Sequence, residues 1–160
     1  MLEQLQEISD ASAAALQETR EIAHTLHPYQ IEALGLSTAL HSLVDKFENS
    51  SQIEFAVEID ENSSDIPHDI AIAVYRIAQE WLTNVVKHSA ASEVSVSLKY
   101  DLDKLALMVS DNGVGFDTQS VVKGLGLQGI EERARMIGAS LDIVSNPGSG
   151  VALKLLVDLH

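Results

Sequence analysis

Cysteine is absent from the 160 residues, which excludes disulfide frameworks, thiolate metal sites and cysteine nucleophiles together. No apolar run approaches the roughly 20 residues of a membrane span, and Met1 opens an acidic helical segment rather than a basic-then-apolar signal peptide. Basic residues are scarce: 10 Lys and Arg face 24 Asp and Glu, a formal charge of −14. That field repels phosphodiester backbones and anionic lipid, so a nucleic-acid partner and direct membrane contact are disfavoured. A soluble, cytoplasmic chain is the expectation, and the sequons Asn49-Ser50-Ser51 and Asn62-Ser63-Ser64 are then coincidental. Internal repeats and low-complexity tracts are also missing. What is present is one domain's length of chain with an appended helix. A compact chain this long buries roughly 68–70% of the surface its unfolded form exposes, so it needs no covalent staples.

The first segment repeats at alternating three and four through Leu5, Ile8, Ser12, Ala15, Thr19, Ile22 and Leu26, a heptad seam closed by Pro28. As a helix, residues 2–27 would form a rod of roughly 39 Å. A rod with one apolar stripe requires a partner, whether a second helix or its own domain. Tyr29 to Gly35 is expected to break it, and a short helix follows with Leu36, Leu40, Leu43, Val44 and Phe47 on one stripe. Ile53, Phe55, Val57 and Ile59 alternate with Glu54 and Glu58 as a half-exposed strand. Asp65 to Pro67 starts a helix over 67–89 that turns Ile70, Val74, Ile77, Ala78, Trp81, Leu82 and Val85 inward. Two strands, Val94–Tyr100 and Leu105–Val109, are joined by a tight turn at Asp101–Lys104. Eight of the nine glycines then fall between Gly113 and Gly150. This region carries a glycine-rich stretch (112–126), a helix from Leu127 to Ile137, and strands Leu141–Val144 and Val151–Val157 around Asn146–Gly150. Hairpin-linked strands with helices between them indicate an α+β two-layer sandwich, helices on one face of a mixed, mostly antiparallel sheet.

Three stretches carry chemistry. In Gln79-Glu80-Trp81-Leu82-Thr83-Asn84-Val85-Val86-Lys87-His88, Asn84 stands four residues after Glu80, and Lys87 and His88 three and four after Asn84, one face of a helix. A carboxylate, an amide, an ammonium and an imidazole in one row suit a hydrated Mg²⁺ and phosphate oxygens, since Mg²⁺ takes one or two protein ligands beside water and phosphate. Taken alone, that stretch is better explained as a solvated helix face, since such faces are common. Ser110-Asp111-Asn112-Gly113-Val114-Gly115-Phe116 places an acid at a strand end before two glycines. Backbone then approaches a flat ligand while Asp111 accepts from an exocyclic amine. The competing reading is a hairpin turn, weakened because no strand follows directly. Gly124-Leu125-Gly126-Leu127-Gln128-Gly129 matches G-x-G-x-x-G literally. A dinucleotide fingerprint would need a preceding strand and an acid about 20 residues on. Only Val121-Val122 precede it, the acid in the following strand is Asp142, only 13 residues after Gly129, and 31 residues remain after Gly129. What survives is a helix N-terminus whose amides favour an anion, helped by Lys123. Magnesium would reconcile a phosphate ligand with so acidic a chain.

Together the residues resemble a known family. Q-E-W-L-T-N-V-V-K-H-S-A-A-S resembles the N box, D-N-G-V-G-F the first glycine box and G-L-G-L-Q-G-I-E-E-R-A the second, in the order and spacing of the GHKL ATP-binding fold. Their wording is similar to sensor histidine kinases of the nitrate/nitrite-sensor class, over about residues 20–157. The resemblance implies that Asn84 coordinates Mg²⁺ and that Lys87 and His88 lie near the phosphates. It also implies that Asp111 receives the adenine amine, with Gly113 and Gly115 shaping that wall. Phe116 to Gly124 would be a mobile lid, and Gly124, Leu125 and Gly126 would contact phosphate. Glu80 stands where many histidine kinases carry Asn, leaving a metal role and a water-activating role both open. Gly148-Ser149-Gly150 resembles the third glycine box, with Val151 where Thr is usual.

Arg20 to Leu40 resembles the second dimerisation helix and its exit, giving a dimerisation segment over 1–28 and an ATP-binding catalytic domain over 29–160. The phosphorylated His is normally followed by an acid. His24, His27 and His41 are not, and His68-Asp69 opens the N-box helix. A bland helical surface explains His24 and His27 better than a metal pair. The implied protein is an ATP- and Mg²⁺-dependent histidine kinase that presents γ-phosphate to a histidine on a helix not contained here. A response-regulator receiver domain and a second copy of the chain are its partners. Alternatives are a non-catalytic, nucleotide-gated interaction module and an anti-sigma-type serine kinase on the same fold.

Overall fold

Strict alternation of apolar and polar side chains marks the strands that build the sheet. In the computed structural model, which describes residues 28–61, 66–101, 103–117 and 124–159, this alternation becomes five strands. They are β1 Glu54–Ile59, β2 Glu93–Asp101, β3 Lys104–Asp111, β4 Ser140–Ser145 and β5 Val151–Asp158, in the order β1-β2-β3-β5-β4. β1 and β2 are parallel and every other pair is antiparallel. Among the described residues there are also three helices, α1 Pro28–Ser50, α2 His68–Asn84 and α3 Leu125–Met136, and a π-helical turn, Val85–Ser89, continues α2. The expected α+β sandwich with a mixed sheet is the fold observed.

Period-two patterning decides which sheet face is covered. Val94, Val96 and Leu98 of β2, Leu105, Leu107 and Val109 of β3, and Val151, Leu153, Leu155 and Val157 of β5 are all buried. On the helical side, Leu36, Leu40, Leu43 and Val44 from α1, Ile130 and Ala134 from α3, and every inward residue expected of α2 join them in one cluster. Burying one such aliphatic side chain contributes roughly 1.5–3 kcal/mol.

Three boundaries differ from the sequence reading. The break expected over Tyr29–Gly35 is confined to its last residue: α1 is helical from Pro28, kinks at Gly35, at φ 80° and ψ 167°, and continues as a second helical segment to Ser50. Ile31, buried against the core, ties down the turn before that kink. The glycine-rich stretch yields to α3 at Leu125 rather than Leu127, with Gly124 as N-cap. The helix expected over 67–89 is α-helical only to Asn84. The heptad segment 2–27, with His24 and His27, lies outside the described residues, as do Asp65, most of the expected lid (118–123) and Lys123.

The sheet register positions the site. Asp111, the last residue of β3, pairs with Val94 on one side and with Val151, the first residue of β5, on the other. The acid therefore stands at the sheet's end, directly below the close of α2.

Candidate active site

α2 delivers the first group of side chains. Its apolar stripe holds it on the sheet, leaving Glu80 and Asn84 half-buried toward α3. Beyond Asn84 the backbone widens to π-helical bonding, closed by Ser89 Oγ donating to the Val85 carbonyl at 2.8 Å. The turn ends at Ala90, in the left-handed region at φ 50°. A π turn changes which residues share a face. His88 reaches the same cavity wall as Asn84, whereas Lys87 is exposed and contributes nothing to that wall. The row of four expected from helical spacing is thus divided.

β3 delivers the acid. Asp111 is 9% exposed. Its Oδ1 accepts from the Gly113 amide at 2.8 Å, and its buried Oδ2 has no hydrogen-bond partner. Burial pushes the carboxyl above the ordinary aspartate range, because taking the charged form out of water is costly. The Gly113 and Val151 amides offset this in part. Asn112 is structural: its Oδ1 accepts from the Ser92 and Glu93 amides at 2.9 and 3.0 Å, fastening the strand end to the chain that leaves α2.

The glycines allow close backbone approach. Gly113 lies against the Ser89 carbonyl, where any Cβ would collide, and Val114 N donates to that same carbonyl at 2.7 Å. Gly115, at φ 61°, lies against the Asn146 carbonyl. The β4–β5 turn is drawn in by Gly148 N donating to Val114 O at 2.6 Å, and Phe116 N donates to Ser145 Oγ at 2.8 Å. Gly126 packs on the N-box face: a Cβ there would stand 2.5 Å from Glu80 Oε1 and 3.5 Å from Asn84 Nδ2. Glu80, Asn84 and the start of α3 therefore meet at one point. Glu80 serves that junction from behind and is not itself in the cavity wall.

Between these groups lies a cavity of about 420 Å³, within the roughly 300–1,000 Å³ of small-molecule sites. Asn84, His88, Asp111, Gly115, Gly124 and Gly126 line it, together with apolar Trp81, Val114, Phe116, Leu127 and Val151. Asp111 and Asn84, assigned separately from two motifs, share one cavity. Gly113 is not among the lining residues and packs instead against the Ser89 carbonyl and Asp111, and the Leu125 side chain lies outside the described residues.

A family model described as histidine kinase-, DNA gyrase B- and HSP90-like ATPase matches residues 69–160. The chain belongs to this ATPase family. Its relatives include the sensor histidine kinase ComP of Bacillus subtilis, 31% identical over 98% of this chain and 21% of that protein. Sensor histidine kinase MctS of Rhizobium johnstonii is 35% identical over 92% of the chain and 33% of its own length. LiaS of Bacillus subtilis is 33% identical over 95% and 42% respectively. The chain thus spans between a fifth and two fifths of these proteins. Among solved structures, the histidine kinase domain of the Erythrobacter litoralis EL346 blue-light activated histidine kinase superposes with a TM-score of 0.74 at 19% identity, over 88% of this chain and 74% of that one. Acinetobacter baumannii histidine kinase AdeS gives 0.65 at 12%, over 89% and 78%. Both show the fold. The chain carries the ATP-binding catalytic domain of the sensor histidine kinase type.

Within this ATPase domain, no group of three or more His, Asp or Glu is placed to hold a metal among the described residues. An all-protein cage is therefore absent from them, while a pair of oxygen donors, Glu80 and Asn84, stands at the α3 terminus. No described helix is long and apolar enough to cross a membrane. Motif reading missed the apolar wall. Trp81 and Val151 carry ordinary core periodicity, and only the cavity distinguishes them from core residues.

Proposed function

We propose that this chain is the catalytic part of a two-component sensor histidine kinase that transfers the γ-phosphate of ATP to histidine. The observation that carries the reading is the unpaired, buried Oδ2 of Asp111, in one cavity with Asn84 and the glycine terminus of α3. An exocyclic amine on a purine satisfies that oxygen. In this reading Gly113 and Gly115 let the base lie against backbone. His88, Gly124, Leu125 and Gly126 meet the phosphates, and Lys87 acts from the rim on its flexible stem.

The oxygen pair of Glu80 and Asn84 fits a hydrated Mg²⁺, which takes few protein ligands and dehydrates reluctantly. When bound, the metal supplies neutralisation of phosphate charge in an acidic protein. The chain's own contribution is positioning: Asp111 fixes the base, the α3 N-terminus holds negative oxygens against its free amides, and the acceptor approaches in line. The alternative task for Glu80, whose carboxylate meets Asn84 at Gly126, is activating a water as in the ATPase relatives.

Of the six histidines only His68 is followed by an acid, and it opens the helix that carries Asn84, so the reading places the acceptor on a helix outside these residues. Residues 1–28 are read as part of the second dimerisation helix and 29–160 as the catalytic domain. The protein then works in the cytoplasm as a homodimer and passes phosphate to a response-regulator receiver. The wording of the boxes supports the nitrate/nitrite-sensor class.

Trp81, the only tryptophan, lies in the cavity wall, so its emission reports binding directly. Mg·ATP should shift that emission saturably. Radiolabelled ATP should phosphorylate a supplied dimerisation helix while leaving this chain unlabelled. Saturable binding with no transfer to any supplied helix would indicate a nucleotide-gated module instead.

A further inference from the structure

Trp81 is expected from periodicity to be a core residue, yet it forms part of the cavity wall one turn before Asn84 and Val85. The side chain is 4% exposed, and its Nε1–H is buried with no hydrogen-bond partner. An indole nitrogen can only donate. Leaving it buried and unpaired carries a desolvation cost that phenylalanine in the same place would avoid. One other wall residue has an unmet buried polar side-chain atom among the described residues: Asp111, whose Oδ2 can only accept while ionised. α2 thus contributes a donor and β3 an acceptor, each in need of a partner, to a cavity otherwise lined largely by apolar groups and backbone.

A ligand meeting both needs must present an amine hydrogen and a lone pair on one flat group. Adenine does so, with its exocyclic amine flanked by ring nitrogens. Hypoxanthine and guanine set a carbonyl oxygen where that amine would be, against the carboxylate. We infer that Trp81 is a base-specificity residue whose Nε1–H donates to a ring nitrogen of the purine whose amine docks on Asp111. The inference rests on the ATP-site reading and adds a second polar contact to the base. Val151 supplies no hydroxyl at the start of β5, and among the wall's side-chain donors the indole N–H is the one buried without a partner.

Calorimetry on the 160-residue chain with Mg²⁺ tests this, using ADP and its 1-deaza, 3-deaza and 7-deaza analogues against wild type and Trp81→Phe. The expected result is that Trp81→Phe binds ADP about ten-fold more weakly. One deaza analogue should show the same loss with wild type and no further loss with the variant. Equal ADP affinity in both proteins overturns the inference, and so does a loss of the same size for all four ligands, which marks a packing role only. If Trp81→Phe fails to fold, the wild-type series decides: three analogues that all bind like ADP overturn the inference. The underlying site is judged separately, because Asp111→Asn should weaken ADP whatever Trp81 does. Failure of wild type to bind any of the nucleotides refutes the ATP-site reading itself.

Discussion

Asp111 is an acid placed where ionising is costly. Its raised carboxyl pKa means that the folded chain retains a proton at pH values where the unfolded chain has released it. The stabilisation from this group is complete below the ordinary aspartate range and is lost as pH rises through the raised folded value. Without nucleotide, wild type should therefore lose part of its stability as pH rises across the mildly acidic range. Asp111→Asn should lack that part, which thermal melts of both proteins across pH would show. The same substitution should weaken nucleotide binding by about 1–3 kcal/mol, since a second donor then faces the ligand's amine. Unchanged affinity by calorimetry would remove Asp111 from the site. This residue was legible in the sequence because an acid at a strand end before Gly-x-Gly has few structural uses. Trp81 was not: an aromatic at helical spacing looks the same whether core or cavity lies beyond it.

At the scale of elements, short glycine contacts hold the loops in place. Gly150, at φ 70°, immediately precedes β5, and a Cβ there would strike the Asp111 backbone. Gly150→Ala therefore meets both an unfavourable dihedral and a neighbour that cannot swing away. It should cost about 1–3 kcal/mol or more in urea unfolding and displace Asp111, so that affinity falls as well. Gly126→Ala differs in kind. Its neighbours are the ends of the Glu80 and Asn84 side chains, which can move, so stability should hold while binding of the phosphates suffers. Comparing AMP with ADP by calorimetry separates the two cases: AMP affinity should survive Gly126→Ala and fall in Gly150→Ala. The glycine boxes were readable as motifs. The π turn was not, because Val85–Ser89 has ordinary helical composition.

For the molecule as a whole, the charge of −14 opposes any phosphorylated ligand. Chelating Mg²⁺ should lower ATP affinity at least ten-fold by Trp81 emission. In chelator, raising salt from about 0.01 to 0.15 M should partly restore it, because the Debye length shrinks from roughly 30 to 8 Å and screens like charges. A basic nucleotide-binding protein would show the opposite salt dependence, and finding that here would contradict the charge argument.

Alternation and helical stripes suffice to give the strands, the α+β class and the two-layer arrangement, because burial of one face depends only on side-chain period. Motif order likewise sufficed to name the acid, the amide and the glycines of the site. Bringing Asp111 under Asn84 took the antiparallel β3–β5 register, which sets the strand end beside Val151, and the packing of α2 across it. The division of His88 from Lys87, the close seat of Gly126 on Glu80 and the placing of an unmet indole and an unmet carboxylate in one cavity wall were decided by tertiary structure alone. Each depends on which backbone lies within a few ångströms, and no local period encodes that distance.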